Sequence, residues 1–203
     1  MNKDIGQPIV FVVDDDEAMR DSVQWLMESV NLDSRMFSCA IDFLESCNPD
    51  QEGCLLLDVR MPGMGGMALL EELKPRNITL PVIIITGHGD VPMAVRALKQ
   101  GAFDFIQKPF HAQDLLGRVY AALELDRKNH LQSNEAEQRR AHYAVLTNRE
   151  KEVSDLIVAG NSSKLIAIKL GISPKTVDIH RANIMRKLNV RTVAEIIQLR
   201  LGL

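Results

Sequence analysis

Residues 54–66, CLLLDVRMPGMGG, set an apolar run against a carboxylate and then a bend: Cys54 to Leu57 are apolar, Asp58 closes the run, and Pro62, Gly63, Gly65 and Gly66 follow. A run without alternation reads as a strand buried on both faces, the pattern of a parallel sheet covered on both sides by helices. PIVFVV (8–13) and SRMFS (34–38) precede it, PVIIIT (81–86) and FDFI (103–106) follow it, and each is expected to lead into ten or more residues of helix. Five such repeats over residues 1–125 predict a doubly wound α/β domain with a five-stranded parallel sheet. Ligands of that architecture bind beyond the carboxyl ends of the strands, so the residues that close each run come into focus.

Those residues are chemically selective. The first run ends in Asp14-Asp15-Asp16, the third in Asp58 and the fourth in Thr86, and Lys108-Pro109 follows the fifth. Parallel strands bring these ends to one edge. Carboxylates gathered there repel one another, so they are expected to bind a hard cation or to titrate above their ordinary range. Mg²⁺ is the natural occupant because it takes oxygen ligands, retains water and bridges carboxylates to phosphate oxygens. The predicted chemistry is attack by the Asp58 carboxylate on phosphorus to give an aspartyl phosphate, with the metal and Lys108 neutralising the transferring group. Asp16 and Glu17 read as first-turn acids favourable to a helix dipole. Gly63, Gly65 and Gly66 read as backbone bends, since no GxxxxGK[ST] follows. The single thiols Cys39, Cys47 and Cys54 form no CxxC pair, which argues against a disulfide framework or a zinc site.

The 203 residues are 46% hydrophobic and 25% charged with net charge −3, values of an ordinary globular chain. That total hides an asymmetry: residues 1–125 carry 10 Lys+Arg against 19 Asp+Glu, and residues 126–203 carry 14 against 8. A basic C-terminal part suits a polyanion. Residues 126–145 read as a fifth helix running on into a helical or partly ordered linker, and residues 146–203 as an all-α domain of four helices containing a helix-turn-helix. Thr147 and Glu150 form a capping box, Gly160 and Gly171 stop two helices, and Ser173-Pro174 starts the third. On that third helix Val177, Ile184 and Leu188 share one face, while Lys175, Asp178, Ile179, Ala182 and Arg186 lie opposite. Thr176, Asn183 and Lys187 flank them, and Arg181 lies at the core edge, from which its head can still reach a DNA backbone. Such a helix suits a major groove, with the preceding short helix, bearing Asn161, Ser163 and Lys164, crossing the backbone. Asp178 and Ile179 are expected to set base preference, with Asp178 accepting from cytosine N4, while Lys175, Arg181 and Lys187 supply affinity. His180 reads as a packed or capping residue.

FVVDDDEAMR, LLLDVRMPGMGG, IIITGHGD and GAFDFIQKPF together resemble the flavodoxin-like receiver domain of two-component response regulators. LTNREKEVSDLIVAGNSSKLIAIKLGISPKTVDIHRANIMRKLNV is similar to the LuxR-type helix-turn-helix, and the combination resembles the FixJ branch of the FixJ/NarL regulators. The resemblance implies that Asp58 accepts phosphate from a sensor histidine kinase, that Asp14, Asp15, Asp58 and the Arg60 backbone carbonyl hold Mg²⁺, and that Lys108 binds the phosphoryl group. It further implies a switch pair, Thr86 and Phe105, and a cis bond between Lys108 and Pro109. Arg60 and His88 lie on the rim, where they would set the lifetime of the acyl phosphate. The family binds double-stranded DNA as a dimer and mostly activates transcription, which implies homodimerisation on phosphorylation, through residues 91–100 and 111–119, and contact with RNA polymerase. Inhibition before phosphorylation would come either from the receiver covering the DNA-binding domain or from the want of a dimer partner.

Two other readings compete. A phosphohydrolase with an aspartyl nucleophile shares the Asp, Mg²⁺ and Lys, but the haloacid-dehalogenase phosphatases carry DxDx[TV] after their first strand, whereas LLLDVRM closes the third run here. A receiver that signals only to a protein would leave the basic helix without a purpose. A non-enzymatic, cytoplasmic regulator is therefore expected: no apolar stretch approaches a membrane span, and MNKDIGQPIV has no secretory pattern.

Overall fold

The computed structural model describes residues 7–87 and 91–201. In chain order the elements are β1 (Ile9–Val13), α1 (Glu17–Ser29), β2 (Asp33–Phe37), α2 (Ala40–Ser46), β3 (Gly53–Asp58), α3 (Gly66–Leu73), β4 (Val82–Thr86), α4 (Val91–Gln100), β5 (Asp104–Gln107) and α5 (Ala112–Ala144). The all-helical remainder is α6 (Asn148–Val158), α7 (Ser163–Leu170), α8 (Pro174–Leu188) and α9 (Val193–Leu201). The five strands form one parallel sheet in the order β2-β1-β3-β4-β5, the flavodoxin-like arrangement whose switch point falls between β1 and β3.

Alternate side chains of each central strand enter two separate cores. Phe11, Val13, Leu55, Leu57, Val82 and Ile84 pack with α2, α3 and α4, and Val10, Val12, Leu56, Ile83, Ile85 and Ile106 with α1 and α5. The expectation of strands buried on both faces holds for β1, β3 and β4. It fails for β2 and β5, the two sheet edges, where half or more of each strand's positions reach solvent. An edge strand has a neighbour on only one side, so polar residues such as Asp33 and Arg35 are tolerated there. The helices α2 and α3 have 7 and 8 residues, shorter than the sequence suggests.

The chain divides into two compact units after His130. The boundary lies beyond the predicted residue 125 because Asp126 is buried and accepts the Gly53 N–H at 2.8 Å, fastening α5 to the start of β3. The first turn of the predicted linker thus belongs to the first unit. In the second unit Leu146, Val153, Ile157, Ile166, Val177, Ile184, Leu188 and Ile196 make the core. The predicted caps are all present: Thr147 with Glu150 at α6, Gly171 at φ 65° after α7, and Ser173 before Pro174 at α8. Asn189, at φ 53°, closes α8 in the same left-handed conformation, which Asn tolerates better than most residues.

Candidate functional site

At the carboxyl edge of the sheet, one ammonium joins two buried carboxylates. Lys108 Nζ donates to Asp14 Oδ2 at 2.6 Å and to Asp58 Oδ1 at 2.9 Å. Asp14 is 3% exposed and Asp58 7%, so the pair is largely out of water, where its attraction is screened least. Each carboxylate has a second anchor in the main chain: the Asp16 N–H donates to Asp14 Oδ1 at 3.0 Å, and the Arg60 N–H to Asp58 Oδ2 at 2.6 Å. Lys108 is held in turn by its own N–H, which donates to the Thr86 carbonyl at 2.8 Å, and the bond from Lys108 to Pro109 is cis.

Burial pushes the Asp14 carboxyl above its usual range, against the Lys108 ammonium and the Asp16 N–H, which lower it. Burial would lower Lys108, but its hydrogen bonds to Asp14 and Asp58 outweigh that and hold it above the ordinary lysine value. The site is poised for positive charge. Asp15 is exposed, and no three His, Cys, Asp or Glu side chains among the described residues converge closely enough to hold a metal ion. The expected cage of three carboxylates is thus two carboxylates bridged by Lys108, with Asp15 at the rim. Two buried carboxylates still suit Mg²⁺, which is commonly held by one or two carboxylates together with water and phosphate oxygens.

The remaining predicted residues take distinct places. Thr86 is buried at the end of β4. Ile84 pairs with Phe105, so Thr86, two residues on, lies on the same sheet face as Phe105. Phe105 is half-buried against the core beneath α2, α3 and α4. Arg60 is exposed at the rim, and His88 lies outside the described residues. Asp16 is the N-cap of α1, accepting from the Ala18 and Met19 N–H groups, and only Glu17 stands in the first turn.

Two contributors escaped the sequence. The Arg20 guanidinium donates to the Asp14 carbonyl at 2.7 Å and holds the corner after β1. A Cβ on Gly66 would lie 2.1 Å from the Asp58 carbonyl oxygen, so the start of α3 presses directly on the backbone of the candidate nucleophile. Arg20 did leave a signal, as one cation among Asp14, Asp15, Asp16, Glu17 and Asp21.

In the second unit, α8 buries Val177, Ile184 and Leu188 and exposes Lys175, Asp178, Ile179, Ala182 and Arg186. Ile179 is 54% exposed, well beyond what a packed isoleucine shows. Lys164 is exposed on the first turn of α7. Several of the predicted contacts are engaged within the protein. Lys187 Nζ donates to Glu150 Oε2 at 2.7 Å, and Glu150 is 4% exposed, so the ammonium compensates a buried carboxylate. Arg181 Nη1 donates to Ser163 Oγ at 2.7 Å. The Thr176 hydroxyl lies 2.8 Å from that of the cap Ser173. Asn183 Oδ1 accepts from Arg186 at 3.4 Å. His180 is half-buried, with its Nδ1 out of water and without a hydrogen-bond partner among the described residues.

Residues 10–120 match the family described as response regulator receiver domain, and residues 144–200 that of the bacterial regulatory proteins, luxR family. The transcriptional regulatory protein TdiR of Thauera aromatica is 46% identical over 187 residues, 92% of this chain and 82% of that protein. Transcriptional regulatory protein FixJ of Azorhizobium caulinodans is 41% identical over 192 residues, 95% of this chain and 91% of that protein. Among solved structures, response regulator StyR superposes with a TM-score of 0.86 at 42% identity, covering 98% of this chain and 100% of that one.

Proposed function

Since the chain belongs to the FixJ branch of the two-component response regulators and is a phosphorylation-dependent regulator of transcription, we propose that Asp58 is its phosphoacceptor and α8 its reading element in double-stranded DNA. The observation that carries the first half is the Lys108 ammonium shared between Asp58 and Asp14, two carboxylates withdrawn from water at the switch point of the sheet. An Asp58 oxygen bonds to phosphorus as the P–N bond of a kinase phosphohistidine breaks, and the imidazole leaves with the electron pair. Lys108 then moves its contacts from the Asp58 carboxylate to the phosphoryl oxygens. Asp14, Asp58 and the Arg60 carbonyl, with Asp15 beside them, would hold Mg²⁺, which supplies charge neutralisation on the transferring group.

Thr86 closes β4 at the same sheet edge and Phe105 shares its sheet face, which supports a hydroxyl and a ring that follow the phosphoryl group. The Val95 and Leu98 side chains are exposed on α4, and burying them against a second copy would make the phosphorylated form dimeric. A state that buries more apolar surface gains population from phosphorylation only through such a difference in contacts. The dimer then presents two α8 helices to a two-fold symmetric site, and RNA polymerase is the downstream partner of an activator.

The test is phosphorylation of the full chain by acetyl phosphate with Mg²⁺, read by intact-mass spectrometry and by selection from random double-stranded DNA. The expected result is one phosphoryl group per chain, absent in Asp58→Asn, and enrichment of a symmetric site only in the phosphorylated protein. Phosphorylation that persists in Asp58→Asn would move the acceptor elsewhere.

A further inference from the structure

Two residues of α8 and one of α7 form a directional chain of hydrogen bonds. Arg181 Nη1 donates to Ser163 Oγ at 2.7 Å, and Ser163 Oγ donates to Asp178 Oδ1 at 3.1 Å. The direction is fixed by chemistry. A guanidinium has donors only, so Ser163 must accept from it, and the single hydroxyl proton is left for Asp178. Asp178 is exposed on the outward face of α8, beside Ile179 and between Lys175 and Arg186 along the helix. No second partner for its carboxylate is found among the described residues.

An exposed carboxylate on a DNA-facing surface repels phosphates and is ordinarily free to turn away from the duplex. This one is held. Ser163 stands in the first turn of α7, packed across from α8, and its hydroxyl fixes one oxygen of Asp178 while the exposed residue's other oxygen is left without a partner among the described residues. Ordering a polar side chain before binding removes that ordering cost from the binding step. The geometry points to Ser163 and Arg181 as positioning residues that present Asp178 as a fixed acceptor for the exocyclic amino group of one cytosine in each operator half-site. Arg181 serves this role in place of the phosphate contact that its charge suggests. The inference rests on the reading of α8 as the DNA-reading element and adds to it which side chains make its one carboxylate a reader.

The experiment is binding selection from random double-stranded DNA with the full-length protein phosphorylated by acetyl phosphate, in four forms: wild type, Asp178→Asn, Ser163→Ala and Ser163→Thr. Circular dichroism melting and affinity for unselected DNA are measured on each. Asp178→Asn and Ser163→Ala should lose about tenfold of discrimination at the same single base pair of each half-site. Affinity for unselected DNA should rise in Asp178→Asn, which removes a charge that repels phosphates, and Ser163→Thr, which keeps the hydroxyl, should retain the preference. A Ser163→Ala protein that selects the wild-type site while Asp178→Asn does not would overturn the positioning role and leave DNA reading intact. An equal loss on all sequences, or a lowered melting midpoint with the same base preference, would make the chain structural and overturn it as well. No enriched site for the wild type would overturn both this inference and the reading on which it rests.

Discussion

The pocket of the first unit and the face of α8 in the second use the same kinds of side chain to opposite ends. In the pocket the Asp14 and Asp58 carboxylates are buried and Lys108 is half-buried, and each is held from two sides, by another charge and by a main-chain N–H or carbonyl. On α8 the groups that face outward are exposed, and the cations nearest the core are occupied by Glu150 and Ser163. Chemistry at phosphorus needs charges whose geometry is set in advance in a site that excludes water. Recognition of a duplex needs groups that can exchange water for base edges and phosphates. Charge alone therefore does not identify a nucleic-acid contact, and burial of the partner decides which role a lysine has.

The largest effect expected on the pocket side comes from a residue without charge. Gly66→Ala places a methyl carbon 2.1 Å from the Asp58 carbonyl oxygen, and either α3 or the end of β3 must shift. Overpacking of this kind costs roughly 1–3 kcal/mol and sometimes more. Phosphorylation by acetyl phosphate should fall sharply in protein that is still folded, because the displaced group is the nucleophile itself. Denaturant melts and phosphorylation rates measured together check this. An unaltered rate would mean that Asp58 tolerates backbone movement and that the preset geometry of the pocket is not needed for phosphoryl transfer.

A smaller effect separates two lysines of α8 that the sequence treats alike. Lys187→Ala leaves the Glu150 carboxylate buried without its cation, which costs about 1–2 kcal/mol, because Lys187 is half-exposed and the Thr147 N–H and hydroxyl still bind the carboxylate. Lys175 is exposed, so Lys175→Ala should leave stability within about 0.5 kcal/mol. In DNA binding the order reverses: Lys175→Ala should lower the slope of log affinity against log salt by about 1 if it meets a phosphate. Melting curves and salt titrations of both variants decide the matter. Equal stabilities would return Lys187 to the DNA face.

This pair of lysines also marks what sequence can and cannot show. The strands of the sheet, the residues that close them and the caps of α6 and α8 were legible, because each depends on neighbours within a few positions. The Thr147–Glu150 box spans three residues and Ser173-Pro174 two, and both are present as read. The edge character of β2 and β5 was not legible, since strand order is set by tertiary packing. Nor was the pairing of Lys187 with Glu150, 37 residues apart, or of Arg181 with Ser163, 18 apart. A helical wheel gives the face of a side chain but not the group it meets from the next helix. Gly66 read as a bend for a similar reason, because its contact is with a carbonyl that no side-chain pattern records.

The smallest expected effect is on acid stability, and its sign differs between the units. Burial raises Glu150, but the Lys187 ammonium and the Thr147 N–H and hydroxyl outweigh it, so its folded pKa is lowered. Its stabilising contribution is present above the unfolded carboxylate pKa and is lost as pH falls through the folded value. Asp126 behaves in reverse: burial dominates over the Gly53 N–H and His130, with Glu52 adding to it, and its folded pKa is raised. Its contribution is present below the unfolded pKa and is lost as pH rises through the folded one. Hydrogen exchange read by mass spectrometry resolves α6 from β3 and so follows the two units separately. Glu150→Gln should flatten the loss of α6 protection in acid, and Asp126→Asn should flatten the opposite trend in β3. If both substitutions moved protection in the same direction with pH, the buried carboxylates of the two units would be doing the same thing. The contrast would then rest on exposure alone, without a difference in how each unit compensates a buried charge.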